Sequence, residues 1–283
     1  MHMRKSFLSL TLLAFVAGSA ATALAQGMPT TQPKFLHVFR EQVKVGRAAD
    51  HSKWEAGWVA AYEKAKSPTT YLALVSVTGP SEAWYLIPFA SQAAFGEMTA
   101  REAADPALSA ELDRLSRGDA EFVSEVSAIQ AVARPDLSHG AFPDLATMRF
   151  WDIGTFRVKP GHGQEFEAAV KAYGAAAGRS APNASWRTYE VVAGAPDGTF
   201  MFFSSVASFG DFDKAREEGE ATWKGLTYDE RSALQKLFAE GTVTSWSNRF
   251  RLDPAQSYVP MEARQKDPAF WMPKPAKAPA KKP

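Results

Sequence analysis

The sequence resembles itself at an offset of 115 residues, and this constrains the fold more than any other feature. A segment opening with Gly46-Arg47-Ala48-Ala49-Asp50-His51 and reaching Gly79 can be laid without a gap on Gly161 to Gly194. Each copy begins with an alternating run, FLHVFREQVKV over residues 35–45 and RFWDIGTFRVK over residues 149–159. A glycine turn, a helical stretch and a second β-rich run follow. Next come AWYLIPF (83–89) and TFMFFSSV (199–206), which lead into matching helix starts at Ser91-Gln92 and Ser205-Val206. Both copies then pass through charged helical sequence to short runs ending at Arg134 and Arg251. The order of period-2 and period-3.6 segments reads β-α-β-β-α-β twice.

A βαββαβ unit places helices on one face of an antiparallel sheet. The strands here are apolar on both faces: Phe200 and Phe202 lie on one side of their run, Met201 and Phe203 on the other. The second face therefore needs its own apolar cover. The expected class is α+β, with two tandem ferredoxin-like βαββαβ units packed sheet-to-sheet as an intrachain pseudo-dimer, an α+β barrel. The expected boundaries are a signal peptide over 1–25, repeat 1 over 26–134, a linker over 135–147, repeat 2 over 148–253 and a Pro/Lys-rich tail over 254–283.

The ends of the chain read differently from its body. Arg4 and Lys5, the apolar run Phe7 to Ala17 and the Ala23-Leu24-Ala25 site form a cleavable secretory signal. The expected location is periplasmic or secreted. The formal net charge is +1 over 283 residues. Removing the signal takes it to −1, and setting aside the four lysines of residues 274–283 leaves −5 on residues 26–273. Such a body is no dedicated nucleic-acid binder. The basic end allows a weak, salt-screened contact with an anionic surface. Absence of cysteine removes disulfides, thiolate nucleophiles and Cys-ligated metals. Oligomeric state is open.

Chemistry is sparsely marked. Among five histidines no pair has helical i, i+4 spacing, and no HExxH or EF-hand pattern occurs, so no metal and no cofactor is expected. His37 lies in the first alternating run in phase with Phe35 and Phe39, and the 115-residue offset carries it to Asp152. If both point between the sheets, a His–carboxylate pair could act as a catalytic base. Trp54, Trp58 and Tyr62 recur at i, i+4 and i+8 on the first helix and, with Trp84, could form the wall of a pocket for a flat apolar ligand. The same periodicity also describes ordinary core packing. GxSxG, Walker A and GxGxxG motifs do not occur.

The run Thr155 to Val170 (TFRVKPGHGQEFEAAV) resembles the strand, Pro-Gly turn and amphipathic helix of NIPSNAP-like and small monooxygenase-like members of the dimeric α+β barrel superfamily, in tandem single-chain form. The resemblance covers residues 34–253. It implies the fold, and a range of activities from cofactor-free quinone-type monooxygenases to haem-degrading and haem-binding proteins. Function resides in sites rather than folds. The expectation is therefore an exported protein binding a small, largely apolar or aromatic molecule in a barrel pocket. The alternative is a cofactor-independent monooxygenase-like enzyme acting on an aromatic or quinone-type substrate.

Overall fold

A computed structural model of the chain describes residues 27–273. The expected signal peptide and the lysine-rich residues 274–283 lie outside them. Eight strands appear in chain order as β1 (Phe35–Val43), β2 (Leu72–Ser76), β3 (Glu82–Phe89), β4 (Val123–Ala133), β5 (Phe150–Val158), β6 (Arg187–Ala193), β7 (Thr199–Val206) and β8 (Thr242–Leu252). The helices are α1 (Ala48–Ala65), α2 (Gln92–Ala104), α3 (Pro106–Asp119), α4 (Gly163–Ser180), α5 (Asp211–Gly225), α6 (Tyr228–Lys236), α7 (Met261–Lys266) and α8 (Pro268–Trp271).

Local chemistry sets these elements. Gly46 and Gly161, 115 residues apart, take φ of +80° and +90° in the turns that lead into α1 and α4. Such values are open to glycine and strained for a side chain. The single charged helix expected after each hairpin is two helices in both halves. Pro106 has no N–H to continue α2, while the Asp105 carboxylate accepts from the Ala107 and Leu108 amides and starts α3. In the second half a reciprocal Thr227–Glu230 capping box starts α6.

All strand pairings are antiparallel and the sheet closes on itself in the order β1-β3-β2-β8-β5-β7-β6-β4. Each half contributes four strands in the same order, β4-β1-β3-β2 and β8-β5-β7-β6. The halves meet along their edges, not face to face as sheet-to-sheet packing would have it: Leu74 pairs with Leu252 at one seam and Ala131 with Val191 at the other. Closure leaves no strand edge free in the barrel.

Alternation then assigns the two faces. Leu36, Val38, Leu74, Trp84, Trp151, Ile153, Met201 and Phe250 point inward and form a continuous core. A small pocket of about 80 Å³ lies where Leu36, Leu86, Trp151, Tyr189 and Phe203 meet Met28, Phe142 and Leu145. Val259, Ala263 and Trp271 belong to the same core, and the Trp271 indole donates to the Ala146 carbonyl at 3.0 Å. Residues 254–271, expected as part of a tail, therefore fold onto the barrel because they carry aromatic and aliphatic side chains that a Pro/Lys tail lacks. The linker is also packed: Leu137 and Ala146 are both buried. Among the described residues no helix is long and apolar enough to cross a membrane.

Candidate functional site: two cavities between sheet and helices

Two larger cavities lie on the outer face of the sheet, beneath the helices. In the N-terminal half the outward residues of β1 are His37, Phe39 and Glu41, two apart on one face. Helix α1 turns His51, Glu55, Trp58 and Tyr62 toward them, the i, i+4, i+7, i+11 spacing of one helical face. His37, Phe39, Glu41, Glu55, Trp58 and Tyr62, with Tyr71, Tyr85, Phe95 and Met98, line a cavity of about 300 Å³, and His51 lies behind its wall.

Its floor is ionisable. His51 Nε2 lies 2.8 Å from Glu41 Oε2 and 3.7 Å from Asp119 Oδ1 at the end of α3. Glu41, His51, Glu55 and Asp119 are all buried, and one donor atom from each lies within 4.8 Å of the others. Glu55 Oε1 and Asp119 Oδ1 have no hydrogen-bond partner. Burial, then the charges of Glu41 and Asp119, hold the Glu55 carboxyl well above the usual carboxylate range. Burial, then Glu41, pushes Asp119 up to about 7 against the opposing pull of His51. Burial likewise raises the Tyr71 and Tyr85 phenols, so both stay neutral donors. Tyr85 donates to Gln256 Oε1 at 3.1 Å, and Tyr258 stacks on Tyr62 with centroids 5.8 Å apart. The folded-back C-terminal segment thus braces this cavity.

The residues singled out from sequence separate. Trp58, Tyr62 and His37 line the N-terminal cavity. The His37 ring packs on Phe95 with centroids 4.8 Å apart, its Nδ1 is unpartnered, and burial lowers its proton affinity. His37 and Asp152 do not form the expected pair. Both lie on outer faces, on strands four positions apart around an eight-stranded barrel, and Asp152 instead accepts from Ser247 and faces Arg249 at 3.6 Å. Trp54 is packing: its indole donates to the Leu115 carbonyl at 2.7 Å between α1 and α3. Trp84 lies inside the barrel, 4.8 Å from the Phe250 ring centroid and under the Arg40 guanidinium.

The C-terminal half has a cavity at the corresponding place, larger and chemically opposite. Phe156, Phe166, Val170 and Tyr173 stand 115 residues after Glu41, His51, Glu55 and Trp58, and all four line it. Phe202 corresponds to Tyr85 by register, since Gly154 faces Phe202 as Phe39 faces Tyr85. Trp186 and Trp223 complete an aromatic enclosure of about 660 Å³, with Asp211, Lys214 and Glu218 among its lining residues. Every position that is ionisable in the first half's floor is aromatic or aliphatic here.

Sequence reasoning passed over Glu41, Glu55 and Asp119 and left His51 unassigned. Part of the signal was available: His51 and Glu55 are i, i+4 on a helix, and Glu41 shares the phase of His37. A search confined to histidine pairs does not find a His–Glu pair. Asp119, 68 residues beyond His51, is brought in by tertiary packing alone.

No family model and no curated protein matches the chain. Solved structures do. A candidate monooxygenase of Fusobacterium nucleatum is similar at 8% identity and TM-score 0.54, covering 78% of this chain and 93% of that one. A second, from Lactobacillus acidophilus, is similar at 10% identity and TM-score 0.50, covering 81% and 98%. A chlorite dismutase variant from Candidatus Nitrospira defluvii gives 8% identity and TM-score 0.48 over 83% and 95%. For the first two, at 8% and 10% identity, the likeness is one of fold alone; this chain's fold is mixed α+β with a closed eight-stranded antiparallel barrel.

Proposed function

We propose that the chain is an exported α+β barrel protein that binds a small, largely apolar or aromatic molecule in the sheet–helix cavity of its C-terminal half. The observation that carries this reading is the enclosure of about 660 Å³ walled by Phe156, Phe166, Tyr173, Trp186, Phe202 and Trp223. Its volume falls within the range of small-molecule sites, roughly 300–1,000 Å³, and a few polar groups at an aromatic wall are what orient such ligands. Export rests on the signal-like N-terminus. The tandem ferredoxin-like pseudo-dimer is supported by the repeated strand order and the 115-residue offset. A weak contact of the basic end with anionic surfaces belongs to the same reading.

Native mass spectrometry of protein purified from its own host, followed by titration with 1-naphthol under tryptophan fluorescence, tests the proposal. One equivalent of a hydrophobic molecule should be retained or taken up. Val170→Trp, which fills the C-terminal cavity, should abolish uptake, while Met98→Trp in the N-terminal cavity should leave it intact. Uptake unaffected by Val170→Trp would overturn the assignment.

A cofactor-independent monooxygenase-like activity is the second reading. It is favoured by the unpartnered His37 Nδ1 in the N-terminal cavity, with the fold shared with candidate monooxygenases as supporting context. Oxygen consumption with a hydroquinone, lost in His37→Ala, is its expected signature.

A further inference from the structure

We propose that Glu41, His51, Glu55 and Asp119 form a binding site for one divalent first-row transition-metal ion. The site stands on the N-terminal half alone, independent of what the C-terminal cavity holds.

Four ligating side chains converge from three elements, β1, α1 and the end of α3, with one donor atom from each within 4.8 Å of the rest. Each is more than nine-tenths buried: Glu41 at 5%, His51 at 2%, Glu55 at 4% and Asp119 at 4% exposure. Among the described residues, no lysine or arginine forms an ion pair with Glu41, Glu55 or Asp119. Buried carboxylates are held by pairing or by a metal, since an uncompensated charge is expelled or neutralised.

Glu55 Oε1 and Asp119 Oδ1 are buried with no hydrogen-bond partner, so each keeps an acceptor lone pair free for a cation. A cation is attracted by all four groups at once. Metal–nitrogen and metal–oxygen bonds of about 2.0–2.2 Å place donors roughly 3.4 Å apart in a tetrahedron and about 4.2 Å apart across an octahedron. The 4.8 Å span of the cluster would contract by about 0.6 Å to match donors across an octahedron and by about 1.4 Å to match a tetrahedron, within reach of side-chain rotation. The Glu41–His51 contact at 2.8 Å shows Nε2 already directed at a carboxylate, so the metal would replace the proton that the pair shares.

The donor set selects the ion. Three carboxylate oxygens with one imidazole, and no thiolate, suit Mn²⁺, Fe²⁺ or Zn²⁺ better than Cu⁺. Glu41 and Glu55 also line the cavity of about 300 Å³, whereas His51 and Asp119 do not. The bound ion would therefore have its back to α3 and an open face toward the Tyr71 and Tyr85 phenols, where water or an anionic oxygen could complete its coordination. The second half supplies an internal contrast: Phe156, Phe166 and Val170 occupy the positions of Glu41, His51 and Glu55 and offer no ligand.

The test uses the full chain, stripped with EDTA and dialysed. Calorimetric titration with Zn²⁺ and Mn²⁺, and anaerobically with Fe²⁺, should show one equivalent bound per chain for at least one ion, confirmed by elemental analysis. Glu55→Gln and Asp119→Asn, near-isosteric and checked for native circular dichroism, should each weaken binding at least tenfold. Co²⁺ should give visible d–d bands that vanish in His51→Ala or, if that variant does not fold, in Glu55→Gln. Absence of stoichiometric binding for all three ions would overturn the proposal. So would binding that persists unchanged in both Glu55→Gln and Asp119→Asn, because the ion would then sit elsewhere.

Discussion

Replacing Gly118 by alanine tests how tightly α1 and α3 are locked at the N-terminal cavity. A Cβ on Gly118 would overlap the indole of Trp54, with Trp54 Cε2 2.6 Å away. The indole cannot retreat freely. It donates to the Leu115 carbonyl at 2.7 Å, lies 6.1 Å from the Phe122 ring and sits under the Arg114 guanidinium at 5.4 Å. Losing that hydrogen bond costs about 1 kcal/mol, and overpacking a fitted contact adds about 1–3 kcal/mol. Alanine in a helix returns about 1 kcal/mol relative to glycine. The net expectation for Gly118→Ala is a loss of about 1–3 kcal/mol. A Cβ added to Gly96 on α2 would meet nothing within 4 Å, so Gly96→Ala should gain about 0.5–1 kcal/mol from propensity alone. Urea unfolding of both variants, followed by far-ultraviolet circular dichroism at 25 °C, measures the difference. Gly118→Ala as stable as wild type, or more so, would show that Trp54 is not wedged against α3 and would return it to the cavity wall.

Other predictions follow from the same geometry. Arg134 bonds Asp136, Glu167 and Glu190 near the seam where β4 meets β6. Arg134→Met should cost about 1–3 kcal/mol in urea unfolding, with the loss shrinking at high salt; no loss would mean that backbone pairing alone holds the seam. Arg134 also pulls the Asp136 carboxyl down from 3.8 to about 2. A lowered folded-state value stabilises above pH 4 and the gain fades as pH falls toward 2. The stability difference between wild type and Asp136→Asn should therefore close over that window; a difference constant with pH would refute it. Trp271→Ala removes the indole that caps the barrel core and should cost about 3–5 kcal/mol by thermal or urea unfolding. An unaffected midpoint would mean that residues 254–271 are dispensable.

The repeat was legible because strand and helix periodicities are local. Alternation in 35–45 and 149–159, the turns at Gly46 and Gly161 and the paired hairpins all fell where read. The break between α2 and α3 was written in Asp105-Pro106 but missed, because charge along 92–119 hides the interruption from a reading by amphipathicity. The candidate pair His37–Asp152 failed for one reason: the sequence shows which residues share a strand face, but not whether that face looks into the barrel or out at the helices. Trp54 and Tyr62 share a helix stripe, yet a stripe wide enough to touch two neighbours divides between α3 and the cavity. Trp84 was legible as buried and illegible as inward.

By itself, then, the sequence determined a mixed α+β chain, the order of its strands and the first helix of each half, and an aromatic-rich core made without disulfides. These follow from side-chain periods of two and 3.6 and from turn chemistry, which act over a few residues. Tertiary structure decided that the sheets join at their edges into one closed barrel. It also decided that equivalent outer cavities carry opposite chemistry, Glu41, His51 and Glu55 in one and Phe156, Phe166 and Val170 in the other. Asp119 reaches His51 only once α3 packs on α1. A meeting of groups 68 residues apart depends on strand closure and helix packing, and no local pattern encodes it.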